Sequence, residues 1–168
     1  GEGFLVKTSK GEFRTRSVLL AIGRRGTPRK LGVEGEQLPK VVYRLIDAEQ
    51  YRGKRVLVVG GGDSALEAAA SIAEVGDTQV TLSYRGDAFA RAKARNRERV
   101  QQATLSGRLR AMLKSNVLKI EPGSVLVECD GRPTLLDNDF VIVSAGGILP
   151  TAFLASLGID VETKHGTA

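Results

Sequence analysis

Three consecutive glycines, Gly60-Gly61-Gly62, separate the apolar run Lys54-Arg55-Val56-Leu57-Val58-Val59 from a helix-forming stretch that extends from about Asp63 to Val75. No other feature restricts the fold as strongly. A continuous apolar run of this length reads as a strand buried on both faces. A strand that ends in glycines and passes directly into a helix must turn sharply, and a second strand, Gln79-Val80-Thr81-Leu82-Ser83-Tyr84, follows after Gly76-Asp77. Strand, turn, helix and strand within about 30 residues make a parallel βαβ unit.

A second pattern occurs twice. Phe4-Leu5-Val6-Lys7-Thr8 alternates, turns at Ser9-Lys10-Gly11, returns as Glu12-Phe13-Arg14-Thr15-Arg16 and leads into the apolar strand Val18-Leu19-Leu20-Ala21-Ile22. Later, Val125-Leu126-Val127-Glu128-Cys129 turns at Asp130-Gly131, returns around Thr134-Leu135-Leu136 and leads into the strand Phe140 to Ala145. Each copy ends in Ala, Gly and, a few positions on, Pro28 or Pro150, and only the second copy includes the βαβ unit and a polar helix from about Ala90 to Leu105. The expected fold class is α/β: a three-layer Rossmann-like domain over residues 40–150, with a parallel sheet and an antiparallel β-hairpin insertion. Residues 1–39 then read as the trailing hairpin and linker of a preceding domain, joined through the loop Gly23 to Pro28, and residues 151–168 begin the return to it.

Composition narrows the function classes. A 168-residue chain with 42% hydrophobic and 26% charged residues is expected to be a soluble folded domain. No apolar run approaches the roughly 20 residues that span a bilayer, so no membrane partner is expected. The start, Gly1-Glu2-Gly3, has neither an initiator Met nor a signal pattern, which predicts a piece of a cytoplasmic protein. One cysteine, Cys129, and one histidine, His165 in the tail, leave metal sites and Ser-His-Asp chemistry without support. Cys129, in an alternating strand between Glu128 and Asp130, reads as a small half-buried residue rather than a redox thiol. The balance of 25 basic against 19 acidic residues, +6, favours an anionic partner.

The glycine turn supplies one. Gly60, Gly62 and Ala65 fit G-x-G-x-x-A directly after a strand and at the start of a helix. Gly60 permits the tight turn, Gly62 lets a pyrophosphate touch the backbone, and Ala65 lets the helix approach the sheet. The diphosphate would meet unpaired N–H groups and the positive end of the helix dipole. Ser64 and Glu67 also have the spacing of a capping box, a role compatible with the first. About 20 residues past the glycines, where an NAD site usually carries a carboxylate, stands Tyr84-Arg85. Arginine there suits the 2′-phosphate of NADPH, Arg91 would add to the cationic pocket, and Tyr84 or Arg85 could stack on adenine. From Lys93 to Arg99 the charges read as a solvated helix face, while Asp87 leaves room for NADH as well.

At this point the residues resemble the low-molecular-weight thioredoxin reductase-like flavoproteins, which include ferredoxin–NADP reductases and bacillithiol-disulfide-reductase-like proteins within the pyridine nucleotide-disulfide oxidoreductase superfamily. Gly60-Gly61-Gly62-Asp63-Ser64-Ala65-Leu66-Glu67 matches their G-G-G-x-x-A-x-E, and Tyr84-Arg85-Gly86-Asp87-Ala88-Phe89 looks like their H-R-R-D-x-F. Leu20-Ala21-Ile22-Gly23 and Val143-Ser144-Ala145-Gly146-Gly147 resemble the two A-x-G exits between their FAD and NADPH domains. The resemblance implies that Gly62, Asp63, Ser64 and Ala65 surround the pyrophosphate, Arg85 and Arg91 the 2′-phosphate, and Glu67, Ala145 and Gly146 the nicotinamide side. Residues 1–39 would then be a remnant of the FAD-domain hairpin and linker.

The departures are equally specific. Where thioredoxin reductases carry a redox C-x-x-C this chain has Tyr43-Arg44-Leu45-Ile46, and neither the N-terminal flavin-binding G-x-G-x-x-G nor the C-terminal G-D motif is present. FAD is thus expected in the intact protein and not in this fragment. Gly86 replaces one arginine of H-R-R-D, and the arginine expected just after Phe89 is displaced to Arg91.

The expected function is an NADPH-binding domain that presents nicotinamide to FAD, with electrons passing to a redox protein or thiol acceptor; no catalytic residue is named, because direct hydride transfer needs none. The fragment alone is expected to be inactive. Two alternatives are the NADPH domain of an FAD-dependent monooxygenase and a degenerate Rossmann-like module binding protein or nucleic acid through Arg85 to Arg110. Only Phe89 joins Tyr84 as an aromatic in that stretch, so stacking on nucleic acid is not expected. The hairpin at residues 4–16 either packs as an add-on or pairs with another chain's edge in a homodimer.

Overall fold

The computed structural model describes residues 3–21 and 27–162 and divides the chain into two compact units, Gly1–Gly26 with Leu149–Ala168, and Thr27–Ile148. In the first unit the expected hairpin forms. Strand β1 (Phe4–Thr8) pairs antiparallel with β2 (Gly11–Thr15), Phe4 opposite Thr15 and Thr8 opposite Gly11. The strand expected from Val18 does not form over its described part: Val18–Ala21 carry no strand, and Leu19 is 91% exposed. An extended segment needs a ladder partner to satisfy its backbone, and among the described residues none pairs with it. Ile22 and the linker Gly23–Gly26 lie outside the described residues, as does His165.

The second unit is built on a five-stranded parallel sheet. Its strands are β3 (Val41–Val42), β4 (Arg55–Val59), β5 (Gln79–Ser83), β6 (Leu109–Met112) and, after a long excursion, β10 (Phe140–Val143), in the order β3-β10-β4-β5-β6. Helix α1 (Asp63–Ala73) joins β4 to β5, and α2 (Ala94–Leu105) joins β5 to β6. The excursion is a three-stranded antiparallel sheet, β7 (Ser115–Ile120), β8 (Ser124–Cys129) and β9 (Arg132–Asp137). This is the expected insertion with one more strand than its sequence pattern showed. Its β8–β9 turn is Asp130-Gly131, with φ of 49° and 74°, and two positive φ values suit the twist of a two-residue hairpin.

Period-two alternation sorts the strands between two cores. Val56, Val58, Val80, Leu82 and Ile142 face α1 and α2, where they meet Leu66, Ala69, Ile72, Val100 and Ala103. Leu57, Val141, Val143 and Met112 face the opposite way and meet Val117, Ile120, Val125 and Val127 of the antiparallel sheet. Helices, parallel sheet and antiparallel sheet are therefore the three layers. Five alanines of α1, from Ala65 to Ala73, are buried, and their small side chains let the helix sit close on the sheet. Helix α2 begins at Ala94, four residues later than expected; Ala90 and Arg91 form a turn, and Lys93 is the extended N-cap.

At the amino ends of the parallel strands, polar groups are tied to one another. Asp139 accepts from the N–H of Arg55 at 2.8 Å and from its Nη2 at 2.7 Å. Arg55 Nη1 also meets Asp137 at 3.0 Å. The buried Lys40 donates from Nζ to the carbonyls of Ser124 and Asn138, at 3.1 and 3.2 Å. Just before β3, Glu36 accepts from the N–H groups of Leu31 and Gly32 and from the Tyr43 hydroxyl, so one carboxylate fixes the loop that enters the sheet. In the first unit, the short helix α3 (Thr151–Ser156) follows the last strand in sequence.

Candidate functional site

The carboxyl ends of the same strands are differently made. Strand β4 lies between β5, its successor, and β10, which arrives last, so the strand order reverses there; open parallel sheets bind ligands beyond such a point. The glycine turn sits on it. Gly60 has φ +146°, and a Cβ there would meet the Ser144 carbonyl oxygen at 2.5 Å and the Ala65 Cβ at 3.0 Å. Its N–H donates to the Ser83 carbonyl at 2.9 Å, closing the turn over β5. At Gly62 a Cβ would meet nothing within 4 Å. Open space thus lies at the N-cap of α1, where helix geometry leaves the N–H groups of Asp63 and Ser64 without intrahelical acceptors.

The expected capping box is absent. Gly62 is the N-cap, and its carbonyl already accepts from Ala65 and Leu66 at 3.0 and 3.1 Å. The helix has therefore begun before Ser64 could cap it, and Ser64 is exposed in the first turn. Glu67, instead of reaching back to the turn, accepts from Asn96 Nδ2 of α2 at 3.0 Å. Asp63 also turns to α2: its Oδ1 accepts from the Lys93 N–H at 2.8 Å and from Asn96 Nδ2 at 2.7 Å. The Lys93 N–H and the Asn96 amide hold the Asp63 carboxyl below its usual range.

Tyr84, at the exit of β5, lies across the glycines. Its ring is in contact range of where a Cβ of Gly61 would be, and a Cβ on Gly86 would meet it at 2.6 Å. It stacks on Phe89 with centroids 5.6 Å apart and planes 23° apart. A residue with a side chain at position 86 would displace the ring, which gives a physical reason for glycine there. Arg85 and Arg91 are exposed, and neither makes an ion pair or side-chain hydrogen bond among the described residues. Farther along, Arg97 Nη1 donates to the Ala92 carbonyl at 2.7 Å and Arg99 pairs with Glu74 at 2.8 Å. The basic run is thereby divided into free cations near β5 and cations spent on the helices.

Ala145 and Gly146 follow β10, on the other flank of β4 from α2. The structure sets Gly61 against the Tyr84 ring and Gly60 against Ala65, leaves Gly62 facing open space, and brings Asp63 and Glu67 together on Asn96; among the described residues no bond brings Glu67 to Ala145 and Gly146. Sequence reasoning passed over Asn96, which is 5% exposed, because it stands inside a charged run. The only signal was an uncharged residue at a buried helical position.

Other candidate chemistry finds structural uses. In the place of a C-x-x-C, Tyr43 binds Glu36 and Leu45 packs against the helical core. Cys129 is half-buried, its Sγ 3.4 Å from the Leu113 carbonyl. Among the described residues no group of three or more His, Cys, Asp or Glu could hold a metal, and no helix is long and apolar enough to cross a membrane. A depression of about 430 Å³ lined by Glu34, Leu38, Lys119 and Glu121 lies beside the β7–β8 turn, away from the glycines.

Comparison with known proteins identifies the family. Residues 1–167 match the family described as pyridine nucleotide-disulphide oxidoreductase. A ferredoxin–NADP reductase of Ignicoccus hospitalis is 34% identical over 98% of this chain and 55% of its own length. The bacillithiol disulfide reductase Bdr (YpdA) from Staphylococcus aureus superposes with a TM-score of 0.88 at 29% identity, covering 98% of this chain and 51% of that one. A thioredoxin reductase from T. acidophilum, TM-score 0.76 at 21% identity over 95% of this chain and 54% of its own, shares the fold. The chain spans about half the length of the curated relatives it matches.

Proposed function

The chain belongs to the pyridine nucleotide-disulphide oxidoreductase family, and from that premise we propose that residues 40–150 bind NADPH and present its nicotinamide to FAD held by residues beyond this chain. One observation carries the reading: the open space at Gly62, over the free N–H groups of α1, adjoins a strand exit whose Arg85 is exposed and uncommitted. A diphosphate fits the first and a 2′-phosphate the second. The residues present therefore suit the cofactor.

In this reading Gly60, Gly61 and Gly62 shape the turn, and the N–H groups of Asp63 and Ser64 bind the pyrophosphate. Ala65 keeps α1 close to β4. Arg85 and Arg91 bind the 2′-phosphate, with Tyr84 beside the adenine. Ala145 and Gly146 line the nicotinamide end, while Glu67, implied on that side by the family resemblance, is bonded instead to Asn96 of α2. When bound, the nicotinamide supplies the hydride; the protein supplies orientation and charge. Electrons would leave FAD for a redox protein or thiol acceptor, as the names of the relatives suggest for them. The chain by itself would turn over no substrate, and NADH is the weaker ligand.

Titration with NADPH and NADH, repeated on Arg85→Ala, tests the reading. NADPH should bind at least about tenfold more tightly than NADH, and the substitution should remove about 1.4 kcal/mol of that preference with an unchanged melting temperature. Binding of neither cofactor at about millimolar concentration overturns the assignment.

A further inference from the structure

The loop that carries Arg91 is held at both ends, and the far end depends on a residue of the glycine turn. At its near end Tyr84 stacks on Phe89, and the Ala92 N–H donates to the Phe89 carbonyl at 3.1 Å. Ala92 itself is 4% exposed. At its far end Lys93 is the N-cap of α2 but makes no side-chain cap bond. Its N–H is instead taken by Asp63 Oδ1 at 2.8 Å, and the same oxygen accepts from the buried Asn96 amide at 2.7 Å. Arg91 projects from between these anchors with its side chain exposed.

A carboxylate in the first turn of a helix that receives phosphates is at first sight counterproductive, since like charges a few ångströms apart repel. The bonds to Lys93 and Asn96 turn that charge toward α2 and give it a use. We propose that Asp63 is a positioning residue for 2′-phosphate recognition: its carboxylate fixes the exit of the loop between β5 and α2, and through it the place of Arg91. The inference rests on the reading of this end of the sheet as an NADPH site, and assigns to Asp63 a specificity role distinct from contact with the pyrophosphate.

The test is a set of NADPH and NADH dissociation constants for the unaltered chain, Asp63→Ala, Asp63→Asn, Arg91→Ala and the double variant Asp63→Ala/Arg91→Ala. Asp63→Ala should lose about fivefold or more in NADPH affinity with less than about twofold change for NADH, and should add nothing to the loss already caused by Arg91→Ala. Asp63→Asn keeps an acceptor for Lys93 and Asn96 and should retain most of the preference. Lys93→Pro deletes the same donor without touching Asp63, at a φ of −60° that suits proline, and should reproduce the selective loss even if Asp63→Ala does not fold. Equal losses for both cofactors, or independent multiplication of the Asp63 and Arg91 effects, overturn the proposal while leaving the NADPH site intact. An unaltered chain that binds neither cofactor overturns both.

Discussion

The two ends of the parallel sheet are made from the same strands and differ in what they do with polar groups. At the amino ends, Lys40, Arg55, Asp137 and Asp139 are consumed by one another and by backbone carbonyls. The exception among the described buried side chains is Asn138 Oδ1, which has no partner. At the carboxyl ends, helix N–H groups and the guanidiniums of Arg85 and Arg91 are left over. A satisfied end holds the fold; an unsatisfied end is left able to take an anion, because free donors and cations are favourable only once one arrives.

The contrast can be broken at its sharpest point. Gly60→Ala would put a Cβ 2.5 Å from the Ser144 carbonyl oxygen at a φ of +146°, and should cost about 3 kcal/mol in denaturant unfolding as well as abolishing cofactor binding. Gly62→Ala, two residues away in open space, should leave stability within about 0.5 kcal/mol and weaken only the cofactor. Equal effects of the two would mean that the turn is a structural bend with no ligand side.

At the opposite end the pattern should invert. Lys40→Met keeps the buried stem but strands the carbonyls of Ser124 and Asn138, and should lower stability by about 2 kcal/mol with the NADPH dissociation constant unchanged. A shifted dissociation constant would show that the two ends are coupled through the strands.

The smallest expected effect is acid sensitivity. Bonds from the Arg55 side chain and N–H hold Asp139 at about 2, against an ordinary 3.8. Its folded value lies below its unfolded one, so its contribution is complete above about 3.8 and is lost as pH falls toward about 2. Burial pushes Glu36 up, but the N–H groups of Leu31 and Gly32 and the Tyr43 hydroxyl outweigh it and hold the carboxyl low, so it acts in the same direction. With the Asp139 side chain 30% exposed, solvent screening leaves its share on the order of 1 kcal/mol. Asp139→Asn should flatten the stability profile between about pH 4 and 2.

Much of this was legible in one dimension because the signals were local. The run Val56 to Val59, the glycines and the alanines of α1 specify strand, turn and helix without reference to distant residues, and Asp130-Gly131 specifies its own hairpin. Strand β7 escaped notice because a bulge between Val117 and Lys119 breaks the alternation and places the buried Val117 and Ile120 three residues apart, a helical spacing. Strand β6, Leu-Arg-Ala-Met, has no β-branched residue to mark it. Val18 to Ala21 erred in the other direction: its residues favour a strand, but a strand exists only with a partner.

The sequence by itself determined the βαβ unit, the glycine turn at its apex and the arginine, Arg85, that follows its second strand. Tertiary structure alone decided how the charged residues were divided. Asp63 and Glu67 found the buried Asn96 across a helix interface, Arg97 and Arg99 were spent on the helices, and Arg85 and Arg91 were left free. The physical reason is that backbone geometry follows from neighbours in the chain, whereas the fate of a charge depends on which partners folding brings within about 3 Å.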